Sequence, residues 1–173
     1  MFKKGFEYVD EPYRSILKRL LDALLEIYGD ELISLILFGS VARGDYRESS
    51  DIDLLIIVKG VTGGFSQRLR KFLKAEKMIF SYRDEWELIG KYVSLSPVIL
   101  SIEEAKIFKP LYLDMVEDAT ILFDRDAFFE NILYRLMDRL RELGAERIWI
   151  GRKWYWRLKK NYRFGEAIEI DLQ

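Results

Sequence analysis

Two short apolar runs constrain this chain more than any other feature. Ile33 to Phe38 and Ile52 to Val58 are dominated by Ile, Leu and Val, and each is too short for an ordinary helix. Both read as buried strands. The first ends at Gly39-Ser40, the second opens on Asp51-Ile52-Asp53, and a polar loop from Val41 to Ser50 joins them.

The surrounding pattern supplies helices for these strands to pack against. Tyr13, Leu17, Leu20, Leu21, Leu24 and Tyr28 recur at helical spacing, with Asp10 as the expected cap, Pro12 in the first turn and Gly29 as the stop. Gly60, Gly63 and Gly64 mark a turn after the second strand. Ser66 to about Gly90 is charged and helical in pattern, and Tyr92 to Ser101 reads as a third strand in which Pro97 argues for an edge, a bulge or an early end. A short helix from Ile102 to Phe108, another after Pro110, and a strand from Ala119 to Phe123 are expected next. Asp126 is the expected cap of a last long helix striped by Phe129, Ile132, Leu133, Leu136, Leu140 and Leu143 and closed by Gly144. The predicted fold is α/β (α+β): a small mixed sheet flanked by helices. Residues 1–145 form the catalytic domain in this reading, and residues 146–173 form a C-terminal extension packed on it.

The absent residue types narrow the chemistry. The chain has 173 residues and neither Cys nor His. Disulfides, thiolate or imidazole metal sites, cysteine nucleophiles and histidine bases are therefore excluded. Any catalysis must use carboxylates, lysines, hydroxyls, backbone donors and a hard metal. The net charge of -1 points to no partner by itself. No apolar run approaches the roughly 20 residues of a membrane span, and Met1 to Gly5 lacks the features of a signal peptide, so a cytoplasmic location is expected.

The chemistry concentrates where the two strands meet their loop. Glycine at position 39 lets the chain turn sharply and lets a ligand approach the backbone. Successive N–H groups after such a turn can converge on one anion, the Ser40 hydroxyl adds a donor, and Arg43 adds a cation with phosphate-matching geometry. Asp51 and Asp53 are two residues apart at a strand start, so alternation sends both carboxylates to one face while Ile52 and Leu54 point inward. A close pair of carboxylates is tolerated when one takes a proton or a cation sits between them, and oxygen donors of this kind suit Mg²⁺. A phosphate cradle beside a carboxylate pair fits metal-assisted phosphoryl or nucleotidyl transfer.

The stretch Leu35 to Val58 resembles the nucleotidyltransferase superfamily signature: an apolar strand, Gly-Ser, ten residues, Asp-apolar-Asp, and a second apolar strand. Gly-Ser-Val-Ala-Arg-Gly followed by Ser-Asp-Ile-Asp-Leu is especially similar to the minimal nucleotidyltransferases of bacteria and archaea, often antitoxins. The resemblance implies that Gly39 and Ser40 grip the triphosphate, with Arg43 as an auxiliary cation. It implies that Asp51 and Asp53 bind magnesium in a two-metal site. It further implies that an acceptor hydroxyl attacks the α-phosphate of an NTP, ATP being the leading candidate, with release of pyrophosphate. The acceptor would be a protein or a small molecule. The rival expectation from the same resemblance is a catalytically weak antitoxin that binds a helical HEPN-type toxin.

One departure stands out. Active family members commonly carry a third carboxylate on a later strand, and the matching stretch, Tyr92 to Leu100, contains no acid. Ser94 or Ser96 occupies the expected place. Glu103 and Glu104 follow the strand and could reach back, although the acidic first turn of a helix is the plainer reading.

The tail has its own character. Between Arg147 and Arg163 lie seven basic residues and no acid, interleaved with Trp149, Trp154, Tyr155, Trp156 and Tyr162. Terminal strands covering the core are the expected structure. Stacking of a nucleic acid on these aromatics, contact with a protein partner, and homo-oligomerisation stay open as roles.

Overall fold

The two apolar runs are neighbouring strands. The structure, a computed structural model, describes residues 2–47, 50–60, 64–80, 94–151, 153–163 and 165–172. Strand β2 (Leu32–Phe38) and strand β3 (Ile52–Val58) pair antiparallel, with Phe38 opposite Asp53. They are the centre of a five-stranded mixed sheet in the order β1-β5-β2-β3-β4, completed by β1 (Lys3–Lys4), β4 (Leu95–Ser101) and β5 (Thr120–Asp124). Strands β3 and β4 run parallel, as do β1 and β5, while β2 and β5 are antiparallel. The predicted α/β fold with a small mixed sheet is the fold observed. The pair Lys3–Lys4 was not expected as a strand, because two charged residues carry no periodic signal.

Helices cover both faces. Helices α1 (Tyr13–Tyr28) and α3 (Phe65–Phe80) pack on one side, where Leu17, Leu20, Leu24, Phe72 and Ala75 meet Leu35, Leu37, Ile52, Leu54 and Ile56. Helices α5 (Leu111–Asp118) and α6 (Phe128–Leu143) pack on the other, where Tyr112, Phe129, Leu133 and Leu136 meet Ile36, Leu55 and Ile57. The central strands are thus buried on both sides, which is why they read as nearly unbroken apolar runs rather than as alternating ones. Each fully buried Leu or Ile stabilises by about 1.5–3 kcal/mol, so this shared sheet carries the core. Strand β4 lies at the sheet edge, where the N–H that Pro97 lacks is not needed.

Several predicted boundaries shift. The structure does not use the Asp10 side chain as the cap of α1: the Asp10 carbonyl accepts from Arg14, and the Glu11 carboxylate accepts from Ser15 N and Oγ at 3.2 and 2.8 Å. The expected helix over Ile102 to Phe108 shrinks to α4 (Ile102–Ala105). Strand β4 begins at Leu95; the predicted start at Tyr92 and the helical pattern from Ser81 to Gly90 lie outside the described residues.

Asp126 does not cap α6 either. It sits at φ 53° in a one-turn helix before α6, and the carboxylate of Asp124 takes its place, accepting from Phe129 N at 3.0 Å and Glu130 N at 2.9 Å. The same carboxylate accepts from the Oγ of buried Ser34 at 2.6 Å, so strand β5 itself ties the helix start to the sheet centre. Burial raises the Asp124 pKa above the ordinary carboxylate value, against the opposing pull of Ser34 and the two amides. Asp124→Ala removes the cap and orphans a buried hydroxyl together, and it should cost about 3 kcal/mol. Urea unfolding with an unchanged slope is the measurement, and Asp124→Asn should lose less than half as much.

Candidate active site

The turn after β2 brings the candidate residues to one end of the sheet. Helix α2 (Gly39–Arg43) begins directly at the strand end and is closed by Gly44, whose N–H returns to the Ser40 and Val41 carbonyls. Val41 and Ala42 bury their side chains in the core and anchor this short helix. Gly39 takes φ 73°, a left-handed conformation that ordinary side chains avoid. A Cβ at this position would stand 2.9 Å from Asp53 Cγ and 3.1 Å from Asp53 Cβ, and closer still to Oδ2. The turn and the carboxylate are therefore in direct contact across the β2–β3 pair.

Asp51 immediately precedes β3 and is exposed, while Asp53 lies inside the strand and is half-buried. Ile52 and Leu54, between and after them, are fully buried on the α1–α3 side. Alternation sends the two carboxylates to the opposite face. The Asp53 pKa is raised, first by burial and then by the negative charge of Asp51; the Ser96 hydrogen bond and the Arg43 charge pull it back. A carboxylate whose negative charge is under-compensated in this way is one that a cation would stabilise.

Ser96 stands opposite Asp53 in the parallel β3–β4 register, and its hydroxyl draws the Asp53 pKa down. Of the two serines singled out in the sequence, Ser96 stands beside Asp53. Ser94 lies one step outside the strand, is exposed, and accepts from Ile52 N through its carbonyl. Glu103 and Glu104 follow the other end of β4, about 16 Å along the strand from Ser96. Glu104 forms a capping box with Ser101 and a paired hydrogen bond with Arg68 at 2.5 and 2.9 Å. These contacts hold its carboxyl below the usual range. Among the described residues no group of three acids gathers to hold a metal. Two carboxylates, the Ser96 hydroxyl and solvent are the available donors, an all-oxygen set that fits Mg²⁺ sharing ligands with phosphate rather than a full protein cage.

Arg43 is fixed from two directions. Its Nε donates to the Asp45 carboxylate at 3.2 and 3.3 Å, and its guanidinium lies 4.8 Å from the ring centroid of Trp154. Trp154 belongs to a separate antiparallel hairpin, β6 (Glu146–Ile150) and β7 (Lys153–Arg157). The basic, aromatic tail is thus strand, as expected, and among the described residues its two strands pair with each other and not with the main sheet. Its indole donors Trp154 Nε1 and Trp156 Nε1 meet Asp114 of α5 at 2.7 and 3.0 Å, and Arg147 pairs with Asp118 at 2.8 Å. Sequence reasoning missed Asp114, Asp118 and the Arg43–Trp154 contact. These residues are distant along the chain and share no motif, so no local signal could have joined them.

Comparison with known proteins agrees with this arrangement. A family model described as a nucleotidyltransferase domain matches residues 17–123, from α1 through β5. A Methanocaldococcus jannaschii protein named "Putative protein adenylyltransferase MJ1305" is 34% identical over 131 residues, covering 75% of this chain and 84% of the relative. A second protein of that organism with the same kind of name, MJ0141, is 34% identical over 103 residues, covering 60% of this chain and 90% of the relative. Among solved structures, a toxin-antitoxin with AMP-PNP aligns at 16% identity and TM-score 0.47 over 73% of this chain and 88% of that one. With its Gly-Ser turn and Asp-x-Asp strand inside the matched span, the chain belongs to the nucleotidyltransferase domain family.

Proposed function

We propose that the protein transfers AMP from ATP, with Mg²⁺, to a hydroxyl on a protein. The observation that carries this reading is the direct contact between the Gly39 turn and the Asp53 carboxylate, which sets an anion cradle against an under-compensated acid. The backbone N–H groups after Gly39 and the Ser40 hydroxyl receive the triphosphate, and Arg43 supplies a further positive charge. Asp51 and Asp53 are the ligands for magnesium. Bound there, the ion would neutralise phosphate charge and hold the reacting oxygens in line.

In the reaction, the acceptor oxygen bonds the α-phosphorus and the bond from that phosphorus to the α,β-bridging oxygen breaks. Pyrophosphate leaves with the electron pair, and the hydroxyl proton passes to solvent. Ser96 is a poor general base; its place opposite Asp53 in the β3–β4 register suits it to orient that carboxylate. The protein acceptor is drawn from the 34%-identical relative, which is named "Putative protein adenylyltransferase MJ1305".

The test is incubation with α-labelled ATP and Mg²⁺ alongside candidate hydroxyl-bearing proteins. Label should appear on protein, pyrophosphate should accumulate in equal amount, and EDTA should abolish both. Label from γ-labelled ATP would mean phosphoryl transfer instead and would sink the assignment.

A second reading keeps nucleotide binding but makes transfer weak, with the protein acting as antitoxin partner of a HEPN-type helical toxin. Its supporting observation is the serine at position 96, where a third acid would strengthen metal binding. Tight Mg·ATP binding without label transfer is the outcome that favours it.

A further inference from the structure

We propose that Trp154 of the C-terminal hairpin is a positioning residue for the nucleotide: its ring holds the Arg43 guanidinium and leaves the terminal N–H groups of that guanidinium for the triphosphate. The proposal rests on the transferase reading above. It adds to that reading a residue from outside the family domain, since β7 lies beyond the matched residues 17–123.

Helix geometry sets where Arg43 can reach. It follows Gly39 by four residues in α2, so the two positions share one side of the helix. Val41 and Ala42, between them, are buried in the core. Helical side chains lean back toward the helix N-terminus, so the Arg43 side chain runs back toward the Gly39 turn. Its positive charge is felt at Asp53, where it draws the carboxyl pKa down.

The two partners of Arg43 take different parts of it. Asp45 accepts from Nε alone, at 3.2 and 3.3 Å, and among the described residues the terminal nitrogens donate to no acceptor. The planar fork that matches a phosphate is therefore open. The Asp45 side chain is 58% exposed, and an ion pair of that kind is too weak to fix a long side chain by itself. The Trp154 ring, with its centroid 4.8 Å from the guanidinium, is the second restraint. An aromatic ring attracts a cation through its π-face and consumes none of the N–H groups. A second carboxylate in that place would have occupied the fork and cancelled the charge.

The ring is itself held. Its Nε1 donates to Asp114 Oδ1 at 2.7 Å, and Trp156 Nε1 donates to the same oxygen at 3.0 Å. Arg147 lies 4.2 Å from the Trp154 centroid and is fixed by Asp118 at 2.8 Å, and the Trp149 ring stands 4.9 Å away. Two acids of α5 thus secure the ring, and the ring secures Arg43. Freezing a long side chain opposes binding when the ligand has to do it. Here Arg43 is ordered before the nucleotide arrives, so the hairpin raises nucleotide affinity while its own ring leaves the triphosphate to Arg43.

Isothermal titration of the full chain with Mg·ATP is the experiment. Trp154→Leu should raise the Kd about tenfold, and Arg43→Gln should raise it by about as much. Trp154→Phe keeps an aromatic face and loses the Asp114 bond, so it should raise the Kd by no more than about threefold. In the Arg43→Gln background, Trp154→Leu should change the Kd by less than about twofold, because its effect runs through Arg43. A loss caused by a loosened hairpin would persist in that background. Tyr155→Ser alters the opposite face of β7, where Tyr155 is 49% exposed, and should leave the Kd unchanged. An unchanged Kd in Trp154→Leu or in Arg43→Gln overturns the proposal. So does a Trp154→Leu loss of the same size with and without Arg43, or a Trp154→Phe loss equal to that of Trp154→Leu. Failure of the wild type to bind Mg·ATP would strike the transferase reading itself.

Discussion

Replacing Asp51 and Asp53 together with asparagine should reduce nucleotidyl transfer about a thousandfold, since metal-borne charge stabilisation is worth several kcal/mol and each ~1.4 kcal/mol is tenfold in rate. The same substitution should raise the Tm of the metal-free protein. Asp53 is held with its charge under-compensated by burial and by Asp51, so neutral amides remove a cost that the fold otherwise bears. Mg²⁺ should raise the Tm of the native protein and leave the variant unmoved. The pH dependence has a defined sign. Because the folded-state pKa of Asp53 lies above its unfolded value, the metal-free protein is relatively most stable below the ordinary carboxylate range. That advantage is lost as pH rises through the raised pKa. The cation competes with the proton for the same oxygens, so the Tm gain from Mg²⁺ should vanish as pH falls through that raised value. A variant that transfers AMP as well as the native protein would dismiss both acids from the reaction.

The second large effect belongs to Gly39→Ala. Two costs coincide at this position. A left-handed backbone at φ 73° strains any residue with a Cβ by about 1–2 kcal/mol, and the added methyl collides with the Asp53 carboxylate. Asp53 must swing away, and a displacement of about 1 Å at a reacting centre costs on the order of a hundredfold in rate. Gly44→Ala is the control: it sits at φ 80° with nothing within 4 Å of the added atom. Both variants should lose a few degrees of Tm to backbone strain, the change at position 39 the more of the two, while only that change should lose activity. Equal activity in the two variants would mean that the close approach of turn and carboxylate is structural alone.

These two experiments bear on residues that were legible in the sequence, and the reason is local. Gly39, Ser40, Asp51 and Asp53 sit at strand ends that hydrophobicity alone defines, and the period of a strand fixes which side chains share a face. The central strands and the stripes of α1 and α6 were legible for the same reason. The caps were not. Asp10 and Asp126 satisfy the usual cap preference, yet Glu11 and Asp124 provide the hydrogen bonds. Neighbouring acids are equivalent in sequence, and only the direction of the incoming strand decides which of them reaches the helix amides. The third position beside the acid pair shows the same division. Sequence left Ser94 and Ser96 as alternatives, and the parallel register of β3 with β4 placed Ser96 against Asp53.

The amino-acid order by itself determined a mixed sheet, a glycine-serine turn at a strand end and a pair of acids on one face, because each follows from a pattern within a few residues. Tertiary structure alone decided that Trp154 lies over Arg43, that Asp114 and Asp118 hold the hairpin, and that Glu104 is spent on Arg68 and Ser101 far from the acids. Those contacts join segments distant along the chain, and their existence depends on how helices and strands stack, which no local pattern encodes.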